Sequence, residues 1–328
     1  MTRLRDLGIS IGRLPTGQFN AITDVEGILV GHASVVEDSP TTVRTGVTMI
    51  LPRNNEIWTN YAFCGWHSFN GNGEMTGIPW IEESGMLGSP IGITNTHQVG
   101  LVRDALVRYG VEAGVVDGFH LPVVAETYDG WLSDIDSFRL TESDVRAAIA
   151  SAASGPVAEG NVGGGTGMIC HEFKGGIGTS SRVVDLAMHT YTVGVLVQAN
   201  YGSRHDLRID GVPVGRAISY DKVPAPWPTH ERDGRSSWSL PLMLRCSRIN
   251  AGGSPAGPRS DWLERGGPVT TAPRTSSCRL RRATTFWRDR RLPTRCAWFP
   301  MRCSTTSSRL SPMPPRRRSS MLYARLRR

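Results

Sequence analysis

With 328 residues, 39% hydrophobic and 20% charged, the chain is long enough to bury a sizeable core as a globular protein, and no apolar run approaches the roughly 18 residues that a membrane-spanning helix needs. Its formal charge of +8 invites a nucleic-acid partner until it is located: residues 1–234 carry −10, whereas residues 235–328 carry +18 from 21 Arg, no Lys and three acidic residues. The average describes neither part, so a uniformly basic surface is excluded, and no nucleic-acid or membrane partner is expected.

Met1 to Pro15 holds Arg3, Arg5 and Arg13 without a continuous apolar stretch, so a secretory leader is not expected and the cytoplasm is the expected compartment. Ile28 to Val30 and Gly46 to Leu51 are short, β-branched and apolar, as buried strands are. Thr96 to Tyr109 sets Val99, Val102, Leu106 and Tyr109 at helical spacing and predicts an amphipathic helix. Glu126-Thr127-Tyr128-Asp129-Gly130 places a carboxylate and a phenol two residues apart, on one face if the segment is a strand. Such a pair can hold a substrate amine and stabilise developing negative charge, although taken alone it is better read as ordinary strand packing. Thr141 to Asp144 caps a run of helix formers and predicts a second helix to Ala150.

Asn161 to Gly167 carries four glycines that would let backbone N–H groups approach an anion. It lacks the Lys-Ser/Thr of a phosphate loop and a βαβ frame, so nucleotide binding is not expected. Tyr191 to Val197 reads as another buried strand, followed by Gln198-Ala199-Asn200-Tyr201-Gly202. An Asn at a strand end can offer its side-chain N–H to an oxyanion, and is also common in turns. His32, His67, His97, His120 and His171 show no metal-ligand spacing, and neither metal nor organic cofactor is expected. Cys64 and Cys170 read as ordinary buried thiols. Strands mixed with helices over this length imply an α/β layered domain.

From residue 235 onward Arg, Ser, Pro and Thr dominate, and the apolar residues keep no period of two or 3.6. A disordered basic tail has such a composition, which leaves open a non-catalytic scaffold with a nucleic-acid-binding tail. Solvated tails, however, rarely carry Trp238, Trp262, Trp287 and Trp298 with scattered Cys. High Arg without Lys, plus stray Trp and Cys, is what a GC-rich gene yields out of frame.

Several segments, in order, resemble one family: the self-processing serine aminopeptidases that include L-aminopeptidase/D-amidase-esterases and β-peptidyl aminopeptidases. They are Ile22 to His32, Thr45 to Thr48, Asn70 to Gly77, Gly88 to Thr96, Glu126 to Gly130, Gly160 to Met168, and Gln198 to Gly202. The resemblance implies an α-β-β-α sandwich of the N-terminal-nucleophile type. It also implies self-cleavage at a Gly-Ser bond, after which the new N-terminal serine is the nucleophile and its amine the general base. Asn200 would be the oxyanion donor, Tyr128 a stabiliser of the tetrahedral intermediate, and Glu126 a pocket residue near the substrate amine, with Gly164 and Gly165 lining the substrate pocket. Substrates would be small peptides, amides or esters with a free amino end, and the intact protein would be a homo-oligomer.

The pattern breaks at the cleavage point. The family has Gly, the serine, then an apolar strand ending in Thr-Asp-Ala-Pro; here Gly234 is followed by Arg235-Ser236-Ser237-Trp238. Joining the third base of each codon to the first two of the next, from Gly234 on, resolves the break. Trp238 into Ser239 then gives Val, Met243 into Leu244 gives Ala, and the degenerate positions permit Ser, three apolar residues and Val-Val-Ala-Thr-Asp-Ala-Pro. Val269 to Thr275 similarly permits a Ser-x-Asp motif. One base lost in the Gly234 codon accounts for both regions. Residues 1–234 are therefore expected to form an incomplete sandwich with unpaired strand edges, and residues 235–328 an out-of-frame, disordered segment that is not native-like.

Overall fold

The computed structural model describes residues 2–116, 118–186 and 189–225, together with the backbone of Leu242–Ile249. All of these lie in one compact unit, Met1–Pro268. In chain order the elements are β1 (Leu29–Glu37), β2 (Val43–Leu51), β3 (Ala62–Phe63), α1 (Ile78–Ser84), β4 (Met86–Leu87) and β5 (Ile91–Asn95). They continue with α2 (Val99–Glu112), β6 (Val123–Thr127), α3 (Glu142–Ala150), β7 (Ile169–Cys170), β8 (Phe173–Lys174), β9 (Gly176–Leu186), β10 (His189–Ala199), α4 (Val214–Ala217) and β11 (Leu242–Ile249).

Two sheets carry the fold. The first has the order β1-β2-β5-β6. Its first three strands run antiparallel to their neighbours, and β5 and β6 are parallel. A parallel pair needs a crossover long enough to turn the chain round, and α2 supplies it. Every residue of β2 from Thr45 to Leu51 is buried. That pattern requires cover on both faces. On one face α2 packs, with Val102 against Gly92 and Met49. On the other lie the glycine turn Gly163–Gly165 and the second sheet, where Gly164 meets the Ile93 carbonyl and the Gln198 side chain. Val47, Ile93, Leu106, Val145, Ile177 and Leu196 belong to one continuous core that joins the helices to both sheets.

Helix α3 starts where the sequence places it. The Asp144 carboxylate accepts the Thr141 backbone N–H at 2.8 Å, satisfying a donor that the helix cannot. The predicted helix at Thr96 begins with a 3₁₀ turn, and its regular part starts at Val99 because the Asn95 side chain caps that turn through the Gln98 N–H.

The second sheet is β11-β10-β9, antiparallel throughout. β11 corrects one expectation. The edge of β10 is not left unpaired, since Leu242 sits opposite Gln198 and Ile249 opposite Tyr191. The expected boundary at residue 234 and the remainder of residues 235–328 lie outside the described residues. No helix among the described residues is long and apolar enough to cross a membrane.

Candidate active site

The C-terminal ends of β5, β6 and β10 come together at one end of the two sheets. A band of buried polar side chains runs between them: Thr45, Thr94, Asn95, Thr127, Gln198 and Asn200. The Asn95 amide donates to Thr45 Oγ1 at 2.9 Å, and the Gln198 amide donates to Thr127 Oγ1. Buried polar groups persist where such bonds satisfy them.

Asn200 leaves the end of β10 only 7% exposed. Its side-chain Nδ2 donates to the Tyr128 carbonyl oxygen at 2.7 Å, which ties the end of β10 to the segment after β6 and fixes the plane of the amide. The Tyr128 ring folds back over Gly130, where an added Cβ would collide with the phenol, and stands edge-on to Trp131 at 6.3 Å. The structure thus joins Asn200 to Tyr128 through the backbone carbonyl of Tyr128.

Glu126 lies on β6, half-buried. Its carboxylate accepts the Thr96 hydroxyl, and the Glu74 backbone N–H at 3.3 Å. Burial raises its pKa; the Thr96 and Glu74 hydrogen bonds oppose that, and the nearby Glu74 carboxylate adds to it. Segment 74–76 runs beside β6, with Glu126 N–H donating to the Glu74 carbonyl at 3.2 Å. The loop from Asn70 to Gly77, part of the family resemblance, therefore walls this carboxylate in. An added Cβ on Gly73 would stand 2.9 Å from Glu126 Oε1.

The two glycines expected to line a pocket, Gly164 and Gly165, are buried between the sheets. Gly163 has φ +53°, a conformation that favours glycine. The backbone N–H groups that could cradle a phosphate are already engaged: Gly163 donates to Ser34 Oγ and Gly164 to Thr48 Oγ1. Gly234 and Arg235, at the expected self-cleavage point, lie outside the described residues. Among the described residues no cluster of His, Cys, Asp or Glu is arranged to hold a metal ion. Four of the five histidines named above bond structurally: His32 to Thr48, His97 to Asp136, His120 to the Gly88 carbonyl, and His171 to the Ser203 carbonyl.

Asp129 was not singled out by the sequence. It is fully buried, beside Gly167, with neither carboxylate oxygen in hydrogen-bond geometry with a partner. Burial raises its pKa to about 6, against the softening influence of the Thr45 and Asn95 side chains and of His97. The unfolded carboxyl ionises near 3.8, so the unfolded state loses its proton first as pH rises. Stability is therefore lost between about pH 4 and 6, a cost on the order of 3 kcal/mol once both states are ionised. Asp129→Asn is expected to melt higher than the parent at pH 8, with the gap closing toward pH 4. Thermal melts of both chains across that range test this; a parent melt that does not fall between pH 4 and 8 would contradict it.

Comparison with known proteins adds four findings. The model of peptidase family S58 matches residues 20–254. The β-peptidyl aminopeptidase BapA of Sphingosinicella microcystinivorans is 50% identical over 228 residues, covering 68% of this chain and 57% of that protein. Among solved structures, a Burkholderia sp. β-aminopeptidase superposes with a TM-score of 0.66 at 52% identity, covering 69% of this chain and 64% of its own. The L-aminopeptidase D-Ala-esterase/amidase of Ochrobactrum anthropi, a prototype serine aminopeptidase with a variant of the Ntn hydrolase fold, superposes with a TM-score of 0.60 at 47% identity, covering 71% and 63%. The chain thus spans less than two thirds of the length of each of these relatives.

Proposed function

The chain belongs to peptidase family S58, and on that premise we propose that its intact gene encodes a self-cleaving serine aminopeptidase whose nucleophile is lost from the polypeptide as written. The intact enzyme cleaves itself at a Gly-Ser bond after Gly234, then removes the N-terminal residue from small peptides, amides or esters. The observation that carries this is the position of Asn200. It stands at the end of β10, its amide oriented by the Tyr128 carbonyl, beside the slot where a neighbouring strand must begin. In the family pattern the serine directly after glycine opens that strand. Here β11 opens at Leu242, opposite Gln198, and Arg235 follows Gly234. Both features fit a chain that has slipped out of frame at the Gly234 codon.

Each residue has a role on this reading. Asn200 donates to the oxyanion as the tetrahedral intermediate forms, and Tyr128 supports the same developing charge. Glu126 holds the ammonium group of the substrate, which an ionised carboxylate does by charge-assisted hydrogen bonds. Its raised pKa sets a limit: substrate affinity weakens on acidification at a higher pH than for an ordinary glutamate.

The reading is tested with a chain whose frame has been restored by one base, offered pairs of small amides with free and acetylated amino ends. Release of the N-terminal residue from the free form alone is the expected result. Glu126→Gln in the same chain should raise KM about tenfold, the loss of one charge-assisted contact, with little change in kcat. An unchanged KM would remove Glu126 from the amine pocket.

A further inference from the structure

The carboxylate of Glu126 has neutral hydrogen-bond donors, the Thr96 hydroxyl and the Glu74 backbone N–H. The charge that acts on it is that of a second carboxylate, Glu74. The ion pairs among the described residues fall on other carboxylates. Two like charges would separate if they could. The backbone prevents it: Met75 bridges antiparallel to Ala125, and the Thr76 N–H donates to the Val124 carbonyl at 2.9 Å. The Thr76 hydroxyl adds a bond to the Pro122 carbonyl at 2.7 Å and accepts the Val124 N–H at 2.9 Å. Segment 74–76 is thus locked beside β6, with Glu74 exposed at the surface and Glu126 half-buried behind it.

The surroundings do not supply the missing cation. No Lys or Arg occurs in residues 54–102 or 109–138, whereas the same segments hold ten Asp and Glu. They build α1 and β3 to β6, the elements around the pair. Charge of one sign along a site draws ligands of the other. An α-ammonium on Glu126 answers one carboxylate and leaves Glu74 without a partner in the protein. We infer that Glu74 and Glu126 together select a doubly cationic amino end: peptides or amides whose first residue carries a basic side chain, with the α-ammonium on Glu126 and the side-chain cation on Glu74. The inference rests on the proposed role of Glu126 as the amine anchor. Because Glu74 is exposed, water and salt screen the second contact, and its effect is modest.

The chain as written serves for the test. Arg235 stands after Gly234, so the ligand is bound without being consumed. Lysinamide and norleucinamide differ by the side-chain ammonium alone, and their affinities are read at pH 7 by NMR titration of the ligand signals. Lysinamide is expected to bind about fivefold tighter at low salt, the upper end for an exposed ion pair. The ratio should fall below about twofold in roughly 0.5 M salt. Glu74→Gln keeps the backbone contacts and is expected to abolish the preference without weakening norleucinamide. Glu83→Gln, the same charge change on α1, should leave the preference intact.

Equal affinity for the two amides in the parent overturns the inference, as does a preference that survives Glu74→Gln or is lost equally in Glu83→Gln. Should Glu74→Gln fail to fold, a parental preference undiminished by salt overturns it as well. N-acetyl-norleucinamide separates the two readings. If the free amides bind equally and the acetylated one does not, the amine pocket stands and only the selection by Glu74 falls. If no free amide binds, the amine pocket falls and this inference with it.

Discussion

Restoring one base in the codon for Gly234 is expected to turn a single 35.8 kDa chain into two fragments, the second beginning with serine, and to switch amidase activity from none to measurable. The effect is categorical because of what the written sequence puts at the decisive position. An N-terminal nucleophile needs a hydroxyl on the residue after the scissile bond and, once freed, an α-amine on that same residue to act as base. Arg235 offers neither a hydroxyl nor a group that can form the ester. Ser236 and Ser237 have hydroxyls but do not follow glycine. Intact-mass spectrometry of both chains, purified alike, decides the matter. Fragments from the written chain that join between residues 234 and 237 would show that one of these serines serves. A restored chain that remains whole would remove the frameshift explanation.

In the restored chain, Asn200→Ala is expected to lower kcat by about 10²–10³ with a small change in KM, the size of effect seen when one preorganised oxyanion donor is removed. The reason lies in how the amide is held. A side-chain amide free to rotate would have to be oriented during the reaction, whereas the bond from Asn200 to the Tyr128 carbonyl sets its plane beforehand. At 7% exposure water competes little for it, and in such a site a hydrogen bond to a forming negative charge is worth more than in bulk water. Asn200→Asp tests the same point from the other side: a carboxylate of nearly the same shape repels the oxyanion and should be at least as damaging. Parental kcat in either variant would assign the oxyanion elsewhere.

The sequence announces β2, β10, α2 and α3 because each obeys a local rule. β2 and β10 are β-branched and apolar, α2 repeats its apolar residues at helical spacing, and α3 opens on a cap. β9 obeys no such rule: Gly176 to Arg182 is mostly glycine, serine and threonine. Those positions are strand because β10 offers them a ladder of backbone bonds along eleven residue pairs, which no local pattern reveals. The site divides similarly. Asn200, Tyr128 and Glu126 stand out in short segments shared with a known family. Asp129 does not, since aspartate is a surface residue by default, and only tertiary packing brings Gly167 over it.

The pairing of β11 with β10 bears on how such a chain fares in a cell. Backbone hydrogen bonds are indifferent to side-chain identity, so a sheet edge awaiting a strand accepts an extended segment whether or not it is the one that evolved to fill it. Leu242–Ile249 occupies that edge over eight residue pairs. With Leu242–Ile249 in place, β10 is not offered as a template to neighbouring molecules, and edge-to-edge clumping along that strand is suppressed.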